Sequence, residues 1–291
     1  MSAPATTVTS ITDVRRQRPE LIAERLRGRP RFPGFDGIDK LLVIAADHPA
    51  RGALAVGADP RAMADRRDLL ERIQVALSRP GVHGFLGTAD LVEELALLGA
   101  LDHKLVLGSM NRGGIAGTEF ELDDRFTGYD ARGVADAGLD GGKMLLRIDP
   151  DDPASVVTME ACARAVDALA ERGLIALVEP FWSTRVDGRV RNDLTPDAVI
   201  RSITIASGLG RTSAHTWLKL PAVPEMDRVL AATTLPTLLL GGEVGPGDPS
   251  EQPWRAAAAS PAVTGLAVGR SLLYPPDGDV AAAVDEAVGL L

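Results

Sequence analysis

The chain has 291 residues, of which 45% are hydrophobic and 24% charged, and its formal net charge is −9. This composition is typical of a soluble globular protein, and the acidic balance argues against nucleic acid as a partner. A single cysteine, Cys162, excludes an internal disulfide framework. No secretory signal is evident and no apolar run approaches the roughly 20 residues that span a bilayer, so we expect a cytoplasmic protein without a membrane partner.

The first 39 residues contain a cluster of arginines interleaved with Glu20 and Glu24. The cluster has no aromatic platform and no groove-reading motif, so it predicts a solvated or interface helix rather than a nucleic-acid arm. We assign residues 1–39 to an N-terminal helical extension. Residues 40–291 form one predicted domain, because no break in composition marks a further boundary.

From residue 40 onward, short apolar runs alternate with amphipathic stretches. Strands are predicted at 41–46, 83–87, 104–109, 142–148, 174–179, 216–220, 237–241 and 264–268. Helices are predicted at 60–78, 89–98, 130–137, 155–172, 196–208, 225–232, 251–259 and 279–290. Consecutive apolar residues within the strands indicate burial on both faces, as in a parallel sheet. Eight strand–helix repeats predict an α/β fold, the (β/α)8 or TIM barrel, whereas a doubly wound sheet would carry a glycine-rich turn after its first strand.

In such a barrel, the reactive side chains come from the carboxyl ends of the strands. The first predicted strand leads into Asp47 and His48, an acid and an imidazole that can bind substrate hydroxyls or move protons. A loop cap by Asp47 is the structural alternative. The fifth strand ends at Glu179, which a proline follows, so this carboxylate is well placed to act as a general acid or base.

Lysine is rare in this chain, with only four lysines against 27 arginines. Lys40 and Lys104 begin apolar strands, whereas Lys143 and Lys219 lie within the fourth and sixth predicted strands. A desolvated lysine near a second cation loses its proton far more readily than an arginine, and it can then form a Schiff base with a carbonyl substrate. We favour this role for Lys219, while for Lys143 a structural ion pair is an equal alternative.

Glycines follow the last two predicted strands, as Gly241-Gly242 after the seventh and Gly269-Arg270 after the eighth. Backbone N–H groups after these two strands form the recurrent phosphate site of this fold, and an arginine can bind the same anion through two hydrogen bonds. Glycine is also common in tight turns, so either motif alone is weak evidence for a phosphate site and the two together are stronger evidence. They predict a small phosphorylated substrate.

Taken together, these motifs resemble those of the class I, Schiff-base aldolases of the (β/α)8 type. The most similar branch includes tagatose-bisphosphate aldolase, the archaeal-type fructose-bisphosphate aldolases and an autoinducer-processing thiolase. The shared motifs are short and span about residues 40–275: Asp-His, Gly-x-Lys, Glu-Pro, Leu-Lys-Leu-Pro, Gly-Gly and Gly-Arg. The resemblance implies Lys219 as the Schiff-base lysine, Lys143 as an amine that tunes it, and Glu179 as the proton shuttle, without metal or cofactor. It also implies a phosphate cradle of Gly241, Gly242, Gly269 and Arg270.

The chain departs from this family in two ways. Family members often carry a tyrosine shortly after the fourth-strand lysine, where this chain has Arg147, so the acid–base role falls more heavily on Glu179. Deoxyribose-phosphate aldolases carry a further lysine on the seventh strand, which this chain lacks.

The chain also looks like an aldolase-like group associated with actinobacterial inositol catabolism. The substrate implied there is 5-dehydro-2-deoxygluconate 6-phosphate, cleaved to dihydroxyacetone phosphate and malonate semialdehyde. The carboxylate of such a substrate requires a cation in addition to the phosphate site. The candidates are Arg51, Arg112, Arg147 and Arg185.

The resulting hypothesis is a metal-independent class I aldolase for a phosphorylated ketose or keto acid, with Asp47 assisting catalysis and His48 binding substrate. The resemblance implies a homo-oligomer. One alternative keeps the Schiff base but transfers an acyl group, as in the thiolase. Another is a phosphosugar-binding barrel without catalysis. A metal-dependent lyase is disfavoured, because the four histidines show no paired metal-ligand spacing.

Overall fold

The computed structural model describes residues 7–241 and 257–291, and in them parallel strands close into an eight-stranded barrel. The barrel strands are β1 Leu41–Ala45, β2 Gly84–Gly87, β3 Leu105–Ser109, β4 Gly141–Ile148, β5 Ile175–Val186, β7 Thr216–Pro221, β8 Thr237–Leu240 and β9 Gly265–Val268. A further strand, β6 Arg189–Asp193, pairs antiparallel with the end of β5. Because β9 pairs with β1 and β4 pairs with β5, the sheet is closed. The predicted (β/α)8 barrel is confirmed.

Helices surround the barrel and follow most strands. They are α1 Ile11–Gln17, α2 Glu20–Gly28, α3 Arg66–Ser78, α4 Ala89–Leu97, α5 Ala131–Asp136, α6 Ala154–Ala170, α7 Pro196–Ser207, α8 Met226–Leu230, α9 Arg270–Leu273 and α10 Val280–Val288. Helix α3 begins six residues later than predicted, because the Asp65 side chain accepts hydrogen bonds from the first turn and caps it. The helix predicted at 251–259 lies largely outside the described residues.

None of the helices described is long and apolar enough to cross a lipid bilayer.

Alternation along the barrel strands decides which side chains point inward. On β1, Leu41, Val43 and Ala45 belong to a cluster inside the barrel, whereas Leu42 and Ile44 pack outward against the helices. Successive strand residues point to opposite faces, so every second residue shares the interior. The same phase on the other strands directs Lys143, Glu179 and Lys219 to the interior, and Asp47 continues the inward series of β1.

The N-terminal helices lie against the barrel, and α2 packs on α4. Arg29 is buried and donates hydrogen bonds to the carbonyls of Leu101 (3.3 Å) and Gly138 (3.0 Å). Arg15 forms an ion pair of 2.9 Å with Glu93 on α4. The arginine cluster is therefore partly an intramolecular contact, and the predicted helical extension is confirmed. Its boundary at residue 39 stays a prediction.

The hairpin of β5 and β6, here called the β5–β6 hairpin (residues 182–193), was not predicted from the sequence. Its turn consists of Asp187 and Gly188, both with positive φ (51° and 75°). Two consecutive positive φ values define the type I′ turn, for which Asp-Gly is a preferred sequence. That dipeptide is the signal from which the hairpin was predictable.

Candidate active site

The four residues proposed for catalysis meet inside the carboxyl end of the barrel. Lys143 lies on β4, Glu179 on β5 and Lys219 on β7, and β5 pairs with both of the other two strands. Asp47 follows β1 across the barrel. All four residues are less than a tenth exposed. The two lysines therefore flank Glu179 on neighbouring strands.

Glu179 bridges the two lysines. The Nζ of Lys219 donates a hydrogen bond of 2.7 Å to Oε1 of Glu179, and the Nζ of Lys143 contacts Oε2. Burial alone would raise the pKa of Glu179, but Lys143, Lys219 and Arg112 together outweigh it and hold the pKa well below its ordinary value. Glu179 is therefore ionised and holds both lysines through its two carboxylate oxygens.

Lys143 is held from its other side by Asp47. Its Nζ donates to Oδ2 of Asp47 at 3.3 Å, and Ser109 and Arg112 contact the same oxygen. Burial, followed by Arg112 and Lys219, lowers the pKa of Lys143 well below 10.5, and Glu179 opposes the shift. A buried amine with a lowered pKa gives up its proton readily.

Only one of the two interior lysines reaches the space where a ligand can bind. A cavity of about 950 Å³ opens at the carboxyl end of the barrel, and Lys219, Glu179, Asp47 and His48 line it. Lys143 does not line this cavity and is fully buried. The geometry thus gives the two lysines different positions: Lys219 faces the cavity, and Lys143 lies behind Glu179.

The predicted phosphate cradle lies on the same cavity. Gly241, Gly269 and Arg270 line it, whereas Gly242 falls outside the described residues. A Cβ on Gly269 would collide with the carbonyl oxygen of Ala45, so only glycine allows this close approach.

His48 lies beside this part of the cavity, and its Nδ1 is 3.9 Å from Oδ1 of Asp47. Burial, followed by Arg270 and Lys219, lowers the pKa of His48 well below 6.5. The imidazole is therefore neutral at pH 7 and offers one donor and one acceptor to a ligand.

Arg147, predicted as a candidate ligand for a substrate carboxylate, pairs with a carboxylate of the protein. Its Nε and Nη2 donate to the two carboxylate oxygens of Asp124, at 2.9 and 2.6 Å, and both side chains are buried. The guanidinium also contacts the carbonyl of Glu121 and does not line the cavity. Arg147 fastens the loop between β3 and α5 to β4, a geometry that gives no support to the predicted contact with substrate.

The other arginines proposed for a substrate carboxylate also have partners. Arg51 pairs with Glu121 at 3.2 Å, and Arg185 lies 3.9 Å from Asp152. Arg112 contacts Asp47, and burial lowers the pKa of Arg112 to about 10.

From the sequence, Arg112 was only one of four candidates for binding a substrate carboxylate. Its contact with Asp47 was not predictable, because the two residues lie in loops far apart in the sequence. Arg191, which lies on β6 and lines the cavity, was not among the candidates.

Cys162 is buried within α6, and burial raises the pKa of its thiol to about 12. It packs in the core. Across residues 7–241 and 257–291, no group of three or more His, Cys, Asp or Glu side chains is arranged to hold a metal ion.

Comparison with known proteins places the chain in a family. The model of the Cgl0159-like family matches residues 39–288. The chain belongs to the Cgl0159-like family. The crystal structure of Cgl0159 from Corynebacterium glutamicum is 52% identical, covers 99% of this chain and 98% of its own, and superposes with a TM-score of 0.94. No match was found among curated proteins.

More distant structures share the barrel of this Cgl0159-like chain. A Schiff base forming fructose-1,6-bisphosphate aldolase is 18% identical, with a TM-score of 0.66 and coverage of 92% of this chain and 99% of its own. An archaeal fructose-1,6-bisphosphate aldolase, whose catalytic Lys is covalently bound to a carbinolamine intermediate, is 18% identical with a TM-score of 0.66, and the match covers 92% of this chain and 98% of that one. A fructose-bisphosphate aldolase from Slackia heliotrinireducens is 16% identical with a TM-score of 0.60, and the match covers 98% of this chain and 92% of that one. These likenesses establish a common fold.

Proposed function

We propose that this Cgl0159-like protein is a class I aldolase, a carbon–carbon lyase that cleaves a phosphorylated ketose or keto acid through a Schiff base on Lys219. One observation carries the proposal: Nζ of Lys219 faces the cavity and bonds to Oε1 of Glu179 at 2.7 Å, while Lys143 contacts the other oxygen. An amine next to a base and open to a ligand is the arrangement that nucleophilic catalysis requires.

The balance of charge favours a neutral amine in this group. Three cations, Lys143, Lys219 and Arg112, contact only two carboxylates, Glu179 and Asp47, in a buried setting. Loss of one proton relieves this excess, because like charges repel strongly where water is excluded. Lys143, whose pKa burial lowers, is the amine that loses its proton in the resting group. Since Glu179 contacts both lysines, the carboxylate passes a proton from Lys219 transiently to the neutral Lys143, and the free amine of Lys219 formed in this way is the nucleophile.

The neutral Lys219 adds to the ketone carbon of the substrate, and loss of water gives an iminium ion. The iminium draws electrons from the adjacent carbon. Glu179 takes the proton of the hydroxyl on the next carbon, the bond between these two carbons breaks, and an aldehyde leaves. Protonation of the remaining enamine on carbon restores an iminium, which water hydrolyses to the second product and free Lys219.

The same cavity supports a phosphorylated substrate. We assign the phosphate to Gly241, Gly269 and Arg270, and a substrate hydroxyl to the neutral His48. We propose that the substrate is 5-dehydro-2-deoxygluconate 6-phosphate, which is cleaved to dihydroxyacetone phosphate and malonate semialdehyde. The arginines that line the cavity and the resemblance to the inositol-catabolism group support this choice. We also propose that the enzyme is a cytoplasmic homo-oligomer, as expected for this class.

Borohydride trapping tests the Schiff base. The chain has four lysines, so peptide mapping assigns an adduct to one of them unambiguously. After incubation with dihydroxyacetone phosphate and reduction, we expect the added mass on Lys219 in the wild type and in Lys104→Arg, whose lysine lies outside the cavity. Lys219→Met should carry no adduct. An adduct on Lys143, or none in a preparation that turns over substrate, contradicts the proposal.

Product analysis separates the proposed lyase from its alternatives. Incubation with phosphorylated ketoses and keto acids should release dihydroxyacetone phosphate together with an aldehyde. A product carrying a transferred acyl group instead indicates the thiolase-like reaction. Tight binding without any turnover indicates a sugar-phosphate-binding barrel.

A further inference from the structure

Arg191 lines the cavity but takes no part in the group formed by Lys219, Glu179 and Lys143. Unlike the arginines already considered, it has no carboxylate partner among the described residues. Arg51, Arg112 and Arg147 each lie against a carboxylate. In the ranges 7–241 and 257–291, Arg191 forms no ion pair, so its guanidinium keeps its donors for a ligand.

The β5–β6 hairpin holds Arg191 in a defined place. Ser183 is buried and donates a hydrogen bond of 2.9 Å to the side chain of Asn192, next to Arg191. At the base of the hairpin, the guanidinium of Arg201 on α7 lies 4.8 Å from the ring centre of Trp182. A hairpin fixed at both points presents Arg191 to a ligand with little further ordering cost.

The position of Arg191 in the ring of strands suggests which end of a ligand it meets. The Gly269-Arg270 site follows β9, whereas Arg191 is carried by the extension of β5, and β8 and β7 separate the two strands. Lys219 lies on β7, between them in this order. A ligand with its phosphate at Gly269-Arg270 and its carbonyl at Lys219 therefore points its remote end toward Arg191.

We propose that Arg191 binds a second anionic group at the end of the substrate remote from the phosphate, and so selects substrates charged at both ends. The inference rests on the proposed function for the placement of the carbonyl at Lys219. A guanidinium matches the two oxygens of a carboxylate or a phosphate equally well. Loss of one such charge-assisted contact is expected to weaken binding about tenfold or more.

Calorimetric titration with three probes tests this selection. 6-Phosphogluconate carries a carboxylate at the remote end, fructose 1,6-bisphosphate carries a second phosphate, and glucitol 6-phosphate has a neutral remote end. We expect Arg191→Gln to raise the Kd of at least one doubly charged probe about tenfold or more and to leave glucitol 6-phosphate within about twofold. The doubly charged probe that loses affinity identifies the anion.

Arg189→Gln is the matched control, because Arg189 lies on the same strand but does not line the cavity. It should leave all three affinities unchanged, and Arg191→Lys should recover part of the loss. The inference is overturned if the wild type binds neither doubly charged probe more tightly than glucitol 6-phosphate. It is also overturned if Arg191→Gln weakens all three probes equally, or if Arg189→Gln has the same effect.

Titration in a Lys219→Met background separates this inference from the proposed function. That variant cannot form a Schiff base, so binding there depends only on non-covalent contacts. A selective loss caused by Arg191→Gln, combined with failed borohydride trapping of the wild type, supports the inference and removes the aldolase. If borohydride traps an adduct on Lys219 but Arg191→Gln causes no selective loss of affinity for a doubly charged probe, the aldolase is supported and the inference about Arg191 is overturned.

Discussion

At the scale of single residues, a carboxylate held between two lysines defines the candidate site. Glu179 contacts both Nζ atoms, yet only Lys219 faces the cavity, while Lys143 lies behind it against Asp47. The two lysines lie on the two strands that flank β5, but they occupy different positions relative to the cavity. The sequence already favoured Lys219 over Lys143 as the nucleophile, and the position of Lys219 on the cavity supports that proposal.

Replacing Glu179 by glutamine is expected to reduce turnover by about 10² to 10⁴-fold, the range that a positioned general acid–base group contributes. The amide keeps the volume but can neither accept the hydroxyl proton nor relay one between the lysines. Steady-state kinetics of product release measures the loss. Glu160→Gln, an exposed glutamate on α6, is the control and should retain full activity. Equal rates for the two variants would contradict the role of Glu179.

The lowered pKa of Lys143 predicts the pH dependence of imine formation. Below that pKa, Lys143 is protonated and cannot take the proton from Lys219; above it, Lys143 is neutral and the relay operates. The rate of borohydride-trappable adduct formation should therefore rise with pH and level off well below 10.5.

Lys143→Arg tests this assignment, because arginine stays protonated at any working pH. The variant keeps a cation beside Glu179 but should lose the rise with pH and slow adduct formation about 100-fold or more. Lys104→Arg should keep the wild-type profile. A wild-type profile in Lys143→Arg would show that Lys143 is not the proton acceptor.

At the scale of elements, Asn111 extends the pairing of β3 with β4. Strand β3 ends at Ser109, and the side chain of Asn111 then accepts from the N–H of Leu145 at 2.7 Å and donates to its carbonyl at 2.6 Å. The side chain takes the place of a strand residue and joins the loop after β3 to β4. This loop carries Arg112, so the contact also supports the surroundings of Asp47.

Asn111→Ala is expected to lower the free energy of unfolding by about 2–4 kcal/mol. The variant leaves the buried N–H and carbonyl of Leu145 without their partners, at about 1–3 kcal/mol for each group. Urea denaturation measures the change. Asn192→Ala, which removes one side-chain hydrogen bond in the β5–β6 hairpin, should cost less than about 1 kcal/mol. If the two variants lost the same free energy of unfolding, Asn111 would not extend the pairing of β3 with β4 as described.

The β5–β6 hairpin is an element that the hydrophobic pattern of the sequence did not predict. The continuous apolar runs identified the barrel strands because burial on both faces leaves a local signature. Strand β6 is largely exposed and polar, with Arg189, Arg191 and Asp193, so it lacks that signature. Its one local signal is the Asp187-Gly188 turn.

At the scale of the whole molecule, closure of the barrel gathers residues that are far apart in the chain. Asp47 and Lys219 are separated by most of the barrel sequence, yet both line one cavity. The N-terminal helices join the same unit through Arg29, which also donates to the carbonyl of Lys104 at 3.1 Å. We expect the extension and the barrel to unfold together.

Arg29→Met should lower the free energy of unfolding by about 2–4 kcal/mol in a single transition, because it deprives buried backbone carbonyls of their donor. Arg27→Met, an exposed neighbour on α2, should change it by less than about 0.5 kcal/mol. Thermal and urea unfolding of the full chain measure both variants. If the two variants were equally stable, the N-terminal helices would not be integrated with the barrel.

The sequence by itself determined the eight-stranded barrel and the places of Lys143, Glu179 and Lys219 within or at the end of its strands, because continuous apolar runs are local properties of the chain. The tertiary structure decided the partners of these residues. It paired Arg147 with Asp124, Arg112 with Asp47 and Glu179 with both lysines, and it placed Arg191 on the cavity. Such pairings depend on distances between segments far apart in the chain, and barrel closure sets those distances.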